Sequence, residues 1–571
     1  MSYRIIELLA DHRAILAAAF GAGIAVMGAA AIAAEALPAY LFAFPNFAPD
    51  VTPQLPGDVD IALKERLENA SKFIFVQREF DLNAWQMFLA LNWPTNDQGQ
   101  PAPRLEDTSF GPPRWTLWHN SSTIFQVGGA TPPACGQPAA IRQLAPTRNL
   151  ALPVSRGLPA FRVEANAAAN AVENQRATRF LGVMSAVGEL NAANLGDIQQ
   201  AFTGPLIDQN GNFVFYEIII DPNEVAYLCD HKLYNINGQV AFTTGGGKVD
   251  MPIGTPNQDA SGSFELKLAW KVLEPRKDDP SRFFAEDAWI MDQGPDGKPH
   301  QLKVKVGLVG MHVGHKSETS PQWIWATFEQ VDNLDVDPVA HPDLHPSFYD
   351  PNCPICAANV LPQKSAKGVY PRIPVQASRA IPIPGDKVHL NAEVAAALQR
   401  SKSVWQYYQL IDTQWPTVPK STPATWDSGL AQAVTNKPSG QPTPVFLTNI
   451  TMETYFQSGN QPACNQEEAV KTPCPLAYAA SPPGTAIPAY IPDPVTWNSR
   501  LNAGKDPVKP GISTQIFATE SCMGCHSSAG IWNNYDPSKD RKDQPSGYRS
   551  GQLSGDFSWL LTQKADWARS Q

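Results

Sequence analysis

The stretch Phe264-Glu-Leu-Lys-Leu-Ala-Trp-Lys-Val272 puts Phe264, Leu266, Leu268, Trp270 and Val272 at every second position, with Glu265, Lys267 and Lys271 between them. Successive side chains of an extended chain point to opposite faces, so this alternation predicts a half-buried β-strand. Phe213 to Ile220, Val304 to Val313 and Trp323 to Val331 carry the same period. Asn210-Gly211, Asn237-Gly238 and Asp296-Gly297 supply tight-turn chemistry between such runs. An antiparallel sheet over residues 205–335 is therefore the expected centre of the molecule.

Working outward, the N-terminal flank from Ile61 to Trp93 has helical spacing. Trp85, Phe88, Leu89 and Asn92 fall at i, i+3, i+4 and i+7, and Pro94 ends the run. On the other side, residues 336–390 are Pro-rich and irregular. A helix over Asn391 to Leu410 follows, with Val394, Leu398, Ser401, Trp405 and Tyr408 on one side. A second irregular stretch, 459–512, leads to the last segment. The predicted class is α+β: a central antiparallel β-rich body, flanking helices, long Pro-rich loops, and a C-terminal segment packed on the body. The expected division is a leader (1–36), a Pro-rich tether (37–57), a mostly helical and loop region (58–204), the β-rich core (205–335), an irregular region (336–512) and a final segment (513–571). No internal repeat points to a solenoid or propeller.

The 571 residues are 43% hydrophobic, enough for a large core, and the 53 prolines indicate loop-rich construction. Forty-four basic against fifty-four acidic side chains give a formal charge of −10, which disfavours nucleic acid and anionic membrane surfaces as partners. Residues 14–34 contain no charge and are dominated by Ala and Gly. Ala31-Ile-Ala33 and Ala34-Glu-Ala36 have the small-x-small form of a signal-peptidase site, so the chain is expected to be exported, to the periplasm or beyond. Arg4 and Arg13 are balanced by Glu7 and Asp11, which makes the leader less positive than usual. An uncleaved membrane anchor is the alternative reading, since about 20 apolar residues span a bilayer.

Near the C-terminus stands Ser521-Cys522-Met523-Gly524-Cys525-His526-Ser527. Cys-x-x-Cys-His is the spacing with which two thiols add to haem vinyl groups while the next imidazole takes the iron. A redox dithiol or half a zinc site are the competing readings of two such cysteines, and an oxidising compartment disfavours the first. On Cys522, Cys525 and His526 the chain resembles the c-type cytochromes, and in particular a group of large, exported, single-haem bacterial proteins with the motif near the C-terminus. Val306-Gly-Leu-Val-Gly-Met-His-Val-Gly-His315 and Pro321-Gln-Trp-Ile-Trp-Ala-Thr-Phe-Glu-Gln-Val-Asp-Asn333 are also similar to stretches of that group. The resemblance implies one covalent haem c, His526 as proximal ligand, electron transfer with a redox partner protein, and no defined reaction.

Small cytochromes c take their sixth ligand from a methionine downstream of the motif. Here the 45 residues after His526 hold neither Met nor His. The sixth ligand must come from the upstream body, or the position is open. Met452 is the preferred candidate, followed by Met311, His312 and His315; Met523, between the attaching cysteines, is badly placed. Each of these has a structural alternative, a packed core Met or a satisfied His. A Met/His pair favours one-electron transfer, whereas an open iron binds peroxide, oxygen or other small ligands, the mark of a peroxidase, oxygenase or sensor. Trp532 and Tyr535 are expected to shield the macrocycle or serve as hopping sites.

Six cysteines remain, an even number that fits up to three disulfides in an exported chain, Cys464 with Cys474 being the nearest pair besides Cys353 and Cys356. His341, His345, Cys353 and Cys356 also offer zinc-type ligands, and disulfide and metal stay open as alternatives. No Gly-x-Ser-x-Gly, His-Glu-x-x-His or phosphate-loop signature occurs. Thr244-Gly-Gly-Gly-Lys248 reads as a turn, and Asp208 to Asn212 as a hairpin turn, not a calcium loop.

Overall fold

Strand alternation and turn chemistry build a single branched sheet in the computed structural model, which describes residues 51–70, 72–136, 179–181, 204–256, 260–293, 299–366, 368–379, 383–416, 449–456, 522, 526, 529–533 and 555–568. Its eight strands are β1 (His119–Asn120), β2 (Arg179–Leu181), β3 (Phe215–Ile220), β4 (Phe264–Val272), β5 (Ala285–Gln293), β6 (Pro299–His315), β7 (Ile324–Gln330) and β8 (Tyr408–Gln414). The neighbours run β1-β3-β4-β6. The first half of β6 then pairs with β5, and β5 with β2; its second half pairs with β7, and β7 with β8. All pairs are antiparallel except β2 with β5. The protein is thus α+β around a central, largely antiparallel sheet, and from Ala43 onward it is one compact unit.

The longer helices are α1 (Ile61–Asn69), α2 (Phe73–Leu91), α3 (Pro222–Asp230), α4 (Ile236–Thr244) and α5 (Gly385–Arg400); α6 (Leu560–Gln563) is a single turn, as is Ser121–Ile124. Side-chain caps satisfy first-turn N–H groups of α1 and α4: Asp60 accepts from Leu63 N (3.0 Å) and Asn235 from Gly238 N (2.8 Å). α2 covers one face of the sheet. Phe88 stacks on Phe328 with ring centroids 4.3 Å apart, and Trp85 meets the same ring edge-on at 5.1 Å. Phe264, Leu266, Leu268, Trp270, Met311, Val313 and His315 are buried on that face.

Several expectations need correction. The helix placed at 391–410 starts earlier, at Gly385, and ends at Arg400; Lys402 turns the chain with φ +54°, and Tyr408 opens β8. The alternation in Tyr408–Gln414 lets this segment pair with the backbone groups of β7, and that capture outweighs helical spacing. The region 336–512, expected to be irregular apart from one helix, thus also contributes a strand to the sheet. Asn237-Gly238 is not a turn, because Asn235 caps α4 around it; Asn210-Gly211 is one, with Gly211 at φ +83°. Finally, β4 is half-buried only in its first half. Beyond Leu268 both faces are covered, and Lys271 is buried against Asp278 (2.6 Å) and Ser347 (3.2 Å). The run from 61 to 93 forms two helices instead of one.

Among the described residues no helix is long and apolar enough to cross a membrane. The leader 1–36, most of the tether, and the Asp296-Gly297 turn lie outside the described residues.

α5 is tied to the body through the buried Lys387, which reaches Asp81 of α2 (2.8 Å) and Asp412 of β8 (3.6 Å). Lys387→Met leaves Asp81 buried without its counter-ion, and is expected to lower the unfolding free energy by about 3–5 kcal/mol in a urea titration; an unchanged midpoint would refute this account of the anchor.

Candidate functional site

The second face of the sheet receives the C-terminal tail. Ile531, Trp532, Phe557, Leu560, Leu561 and Ala565 pack with Val225 and Leu228 of α3, Ile236 of α4, Ile220 of β3, and Trp323 and Trp325 at the start of β7. Backbone pairing accompanies the apolar contact: Ile236 N donates to Asp566 O (3.0 Å). The buried Gln239 gives its amide N–H to Leu561 O (2.8 Å) and Leu233 O (2.9 Å), while its oxygen accepts from Trp532 N (3.1 Å). The tail is a layer of the core.

His526 lies against this layer. Its Nδ1 is 2.7 Å from Phe557 O. A carbonyl only accepts, so Nδ1 carries the proton and Nε2 keeps its lone pair. The ring is half-buried, 4.2 Å between centroids from Trp325. Burial pushes the imidazole down to about 4, against the pull of the Phe557 carbonyl, and His312 and Lys267 add to the depression. His526 is therefore neutral at ordinary pH, the form that ligates a metal. Cys522 is half-buried and packs on the same apolar cluster. Cys525, Met523 and Tyr535 lie outside the described residues, as do Cys464 and Cys474.

One row of residues crosses this face of the sheet: Ile218 opposite Lys267, Lys267 opposite His312, and His312 opposite Thr327. Ile218, Lys267 and His312 are half-buried, whereas Tyr216, Ala269 and Gly310 to one side, and Ile220, Gly314 and Trp325 to the other, are buried. The row is a shallow trough. One bank is the tail, with His526 on Trp325; the other is the segment from Asn449 to Phe456. In the arrangement that satisfies every group, Asn449 donates to Thr327 Oγ1 (2.8 Å), Thr327 to His312 Nδ1 (2.8 Å), and His312 Nε2–H to Glu453 (2.7 Å). Burial alone would raise the Glu453 carboxyl, but His312, Lys267 and the Asn449 N–H outweigh it and hold the group below its ordinary range.

The candidate sixth ligands are dispersed. Met452 is buried, with its methyl group 3.3 Å from where a Cβ on Gly310 would stand. Gly310 is four residues, roughly 13 Å, along β6 from the Gly314–Trp325 pair on which His526 rests. His312 faces the trough, but both ring nitrogens are engaged. Met311 points to the opposite face, its sulfur 3.9 Å from Asn92 Nδ2. His315 is buried there too, stacked on Phe264 at 4.1 Å and bonded to Ser261 O (2.8 Å), and burial lowers it to about 4. Trp532 sits inside the apolar cluster.

Beside the tail lies a group of buried acids that sequence reading missed. Asp221 caps α3, accepting from Asn223 N (2.9 Å) and Glu224 N (3.1 Å), and burial raises it to about 7 despite those donors. Glu224 and Glu265 face one another, and desolvation pushes both up, helped at Glu224 by the charges of Glu265 and Asp221 and at Glu265 by those of Asp556 and Asp221. Asp556, raised to about 6 by burial, accepts from Lys316 (2.7 Å) and from Met251 N (2.6 Å); Lys316 also bonds Asp250. Glu265 occupies a strand position whose alternation signals solvent; it is half-buried, between Glu224 and Ser558 of the distant tail.

Among the described residues there are two disulfides, Cys135–Cys229 and Cys353–Cys356. The zinc alternative fails at its ligands: the two thiols are joined to one another, and His341 Nε2 lies 3.1 Å from Arg282 Nη1. Among the described residues no group of three or more His, Cys, Asp or Glu is arranged to hold a metal ion. The residues present do fit a haem: an imidazole with Nδ1 fixed and Nε2 left over, a thiol four positions before it, an apolar layer, and an indole against the ring. No family model, curated protein or solved structure matches the chain.

The buried acids carry a pH dependence with a defined sign. Their folded values lie above the ordinary ones, so the stability they permit is complete below about pH 4 and is lost as pH rises through 6 to 7. The urea midpoint should fall between about pH 5 and about pH 8, and Glu224→Gln should flatten that fall; a variant with the wild-type slope would place the titrating groups elsewhere.

Proposed function

We propose that the chain carries one haem c, attached through Cys522 and Cys525 with His526 as proximal ligand, and that it is an exported monohaem cytochrome exchanging single electrons with a redox partner protein. The observation that carries this reading is the Nδ1–H of His526 on the Phe557 carbonyl, which orients the ring and reserves Nε2. Bound haem supplies a reversible one-electron centre. The chain's own contribution is orientation and water exclusion. Trp325 supports the imidazole, the Gln239-anchored tail fixes the carbonyl that holds it, and the apolar layer lowers the local dielectric, which tunes a reduction potential. The acidic balance of the chain suits a basic docking patch on the partner.

A second reading is a haem-dependent oxidoreductase, of peroxidase or oxygenase type, or a ligand-binding sensor with an open sixth position. It is favoured by one specific observation: Met311 and His315 lie on the opposite face of the sheet, both ring nitrogens of His312 are engaged, and Met452 sits at Gly310, away from the Gly314–Trp325 pair on which His526 rests.

Optical spectra of the purified protein, oxidised and reduced, with an alkaline pyridine haemochrome, test both. Covalent haem in the wild type and none in Cys522→Ser is expected; absence of haem from the wild type would end both readings. A low-spin spectrum in both redox states supports the electron carrier, and Met452→Leu then leaves it unchanged, given where Met452 sits. A high-spin iron that binds cyanide quickly supports the open site.

A further inference from the structure

We infer that Cys353–Cys356 is a thiol–disulfide exchange site, opened by the dithiol of a reducing partner. This does not depend on the haem. The pair forms the tip of a surface turn, Asp350-Pro-Asn-Cys-Pro-Ile-Cys356, in which Cys356 is exposed and Cys353 partly so. Ile355, between them, is 83% exposed, an apolar side chain held out beside the sulfurs.

The turn does not need the bond. Gln376 clamps its base: the amide oxygen accepts from Asp350 N (2.8 Å), and the amide nitrogen donates to Asp350 O (3.1 Å) and Cys353 O (3.2 Å). Asp350 Oδ1 accepts from Asn352 N (2.8 Å), and Cys356 N donates to Cys353 O (3.0 Å). Beyond the tip, Asn359 N donates to Gln376 O (2.8 Å), and its side chain pairs with both backbone groups of Ser378. Phe348 and Ala358, on either side, are buried. A bond spanning three positions also constrains the unfolded chain very little, whereas Cys135–Cys229 spans 94 and places Cys229 in the apolar layer under the tail. One disulfide is structural, and the other is accessible and dispensable to the fold.

The exchange balances without an added oxidant. A thiolate of the dithiol attacks Cys356 Sγ, the more exposed cysteine; the S–S bond breaks, and its electron pair leaves on Cys353, which takes a proton from water. The second thiolate of the dithiol attacks the mixed disulfide and releases Cys356. Two electrons pass to the protein, and the dithiol becomes a disulfide.

The test equilibrates the full protein in buffers of reduced and oxidised dithiothreitol, quenches with acid, alkylates with a maleimide, and maps each pair by mass spectrometry. The 353/356 pair should open at a reduced-to-oxidised ratio at least about tenfold lower than the 135/229 pair. Limited proteolysis should cut residues 348–360 equally before and after that opening. Cys353→Ser should form a mixed disulfide at Cys356 with oxidised glutathione, and Cys353→Ser/Cys356→Ser should keep the wild-type melting temperature. Opening of both pairs together, new cleavage in the turn, no adduct at Cys356, or a melting point lowered by several degrees would each overturn the inference.

Discussion

Everything at the candidate site depends on the docking of the tail onto the second face of the sheet. An antiparallel sheet commonly leaves one face to water. Here α2 takes the first face, and residues 529–533 and 555–568 take part of the second by laying Ile531, Phe557 and Leu561 over β3, β7, α3 and α4. The contact joins residues more than two hundred positions apart, and Gln239 secures it by serving three backbone groups at once. Without the tail, Phe557 O would not be positioned for His526, and Trp325 would be an exposed indole. Cys522 and His526 are therefore part of a composite core and not of a detachable domain.

Docking has an electrostatic cost. Glu224, Asp221 and Asp556 are withdrawn from water and Glu265 half-withdrawn where the tail meets α3 and β4, and the cation bonded to Asp556 is Lys316. Desolvation of this size is tolerable where carboxyls hold their protons, so the values move upward together. The trough beside it is arranged differently. His312 donates to Glu453, Lys267 adds a positive charge, and the Glu453 carboxyl moves downward. The same sheet thus keeps a proton-rich acidic cluster under the tail and an ionised carboxylate on the opposite bank.

The class of fold was legible because its signal is local: a period of two in Phe264–Val272 is imposed by strand geometry whatever the strand packs against. The helix at 391–410 was misread at its end because Trp405 and Tyr408 fit helical spacing, and only the unpaired edge of β7 explains why Tyr408–Gln414 is extended. At the site, Cys522, Cys525 and His526 stand out because Cys-x-x-Cys-His is a local pattern that one window of sequence contains. Gln239, Trp325 and Glu265 do not, since their roles arise from tertiary contacts no window of sequence contains. Lys271 makes the same point, for a lysine in an alternating strand reads as solvated until Asp278 folds over it.

The glycines of β6 show how sheet and site are coupled. Glycine weakens a strand, having no side chain to pack and more freedom to lose. Gly310 and Gly314 nevertheless fall on the trough face, on either side of His312. A Cβ on Gly310 would stand 2.1 Å from Thr451 Oγ1, and one on Gly314 3.2 Å from the Trp325 ring. Each glycine lets a bank descend to the backbone: the segment around Met452 at one, the tryptophans behind His526 at the other. His312, the residue between them that keeps its side chain, is left as the floor. The spacing Gly-Met-His-Val-Gly therefore sets the width of the trough, because two steps of a strand separate each bank from the imidazole.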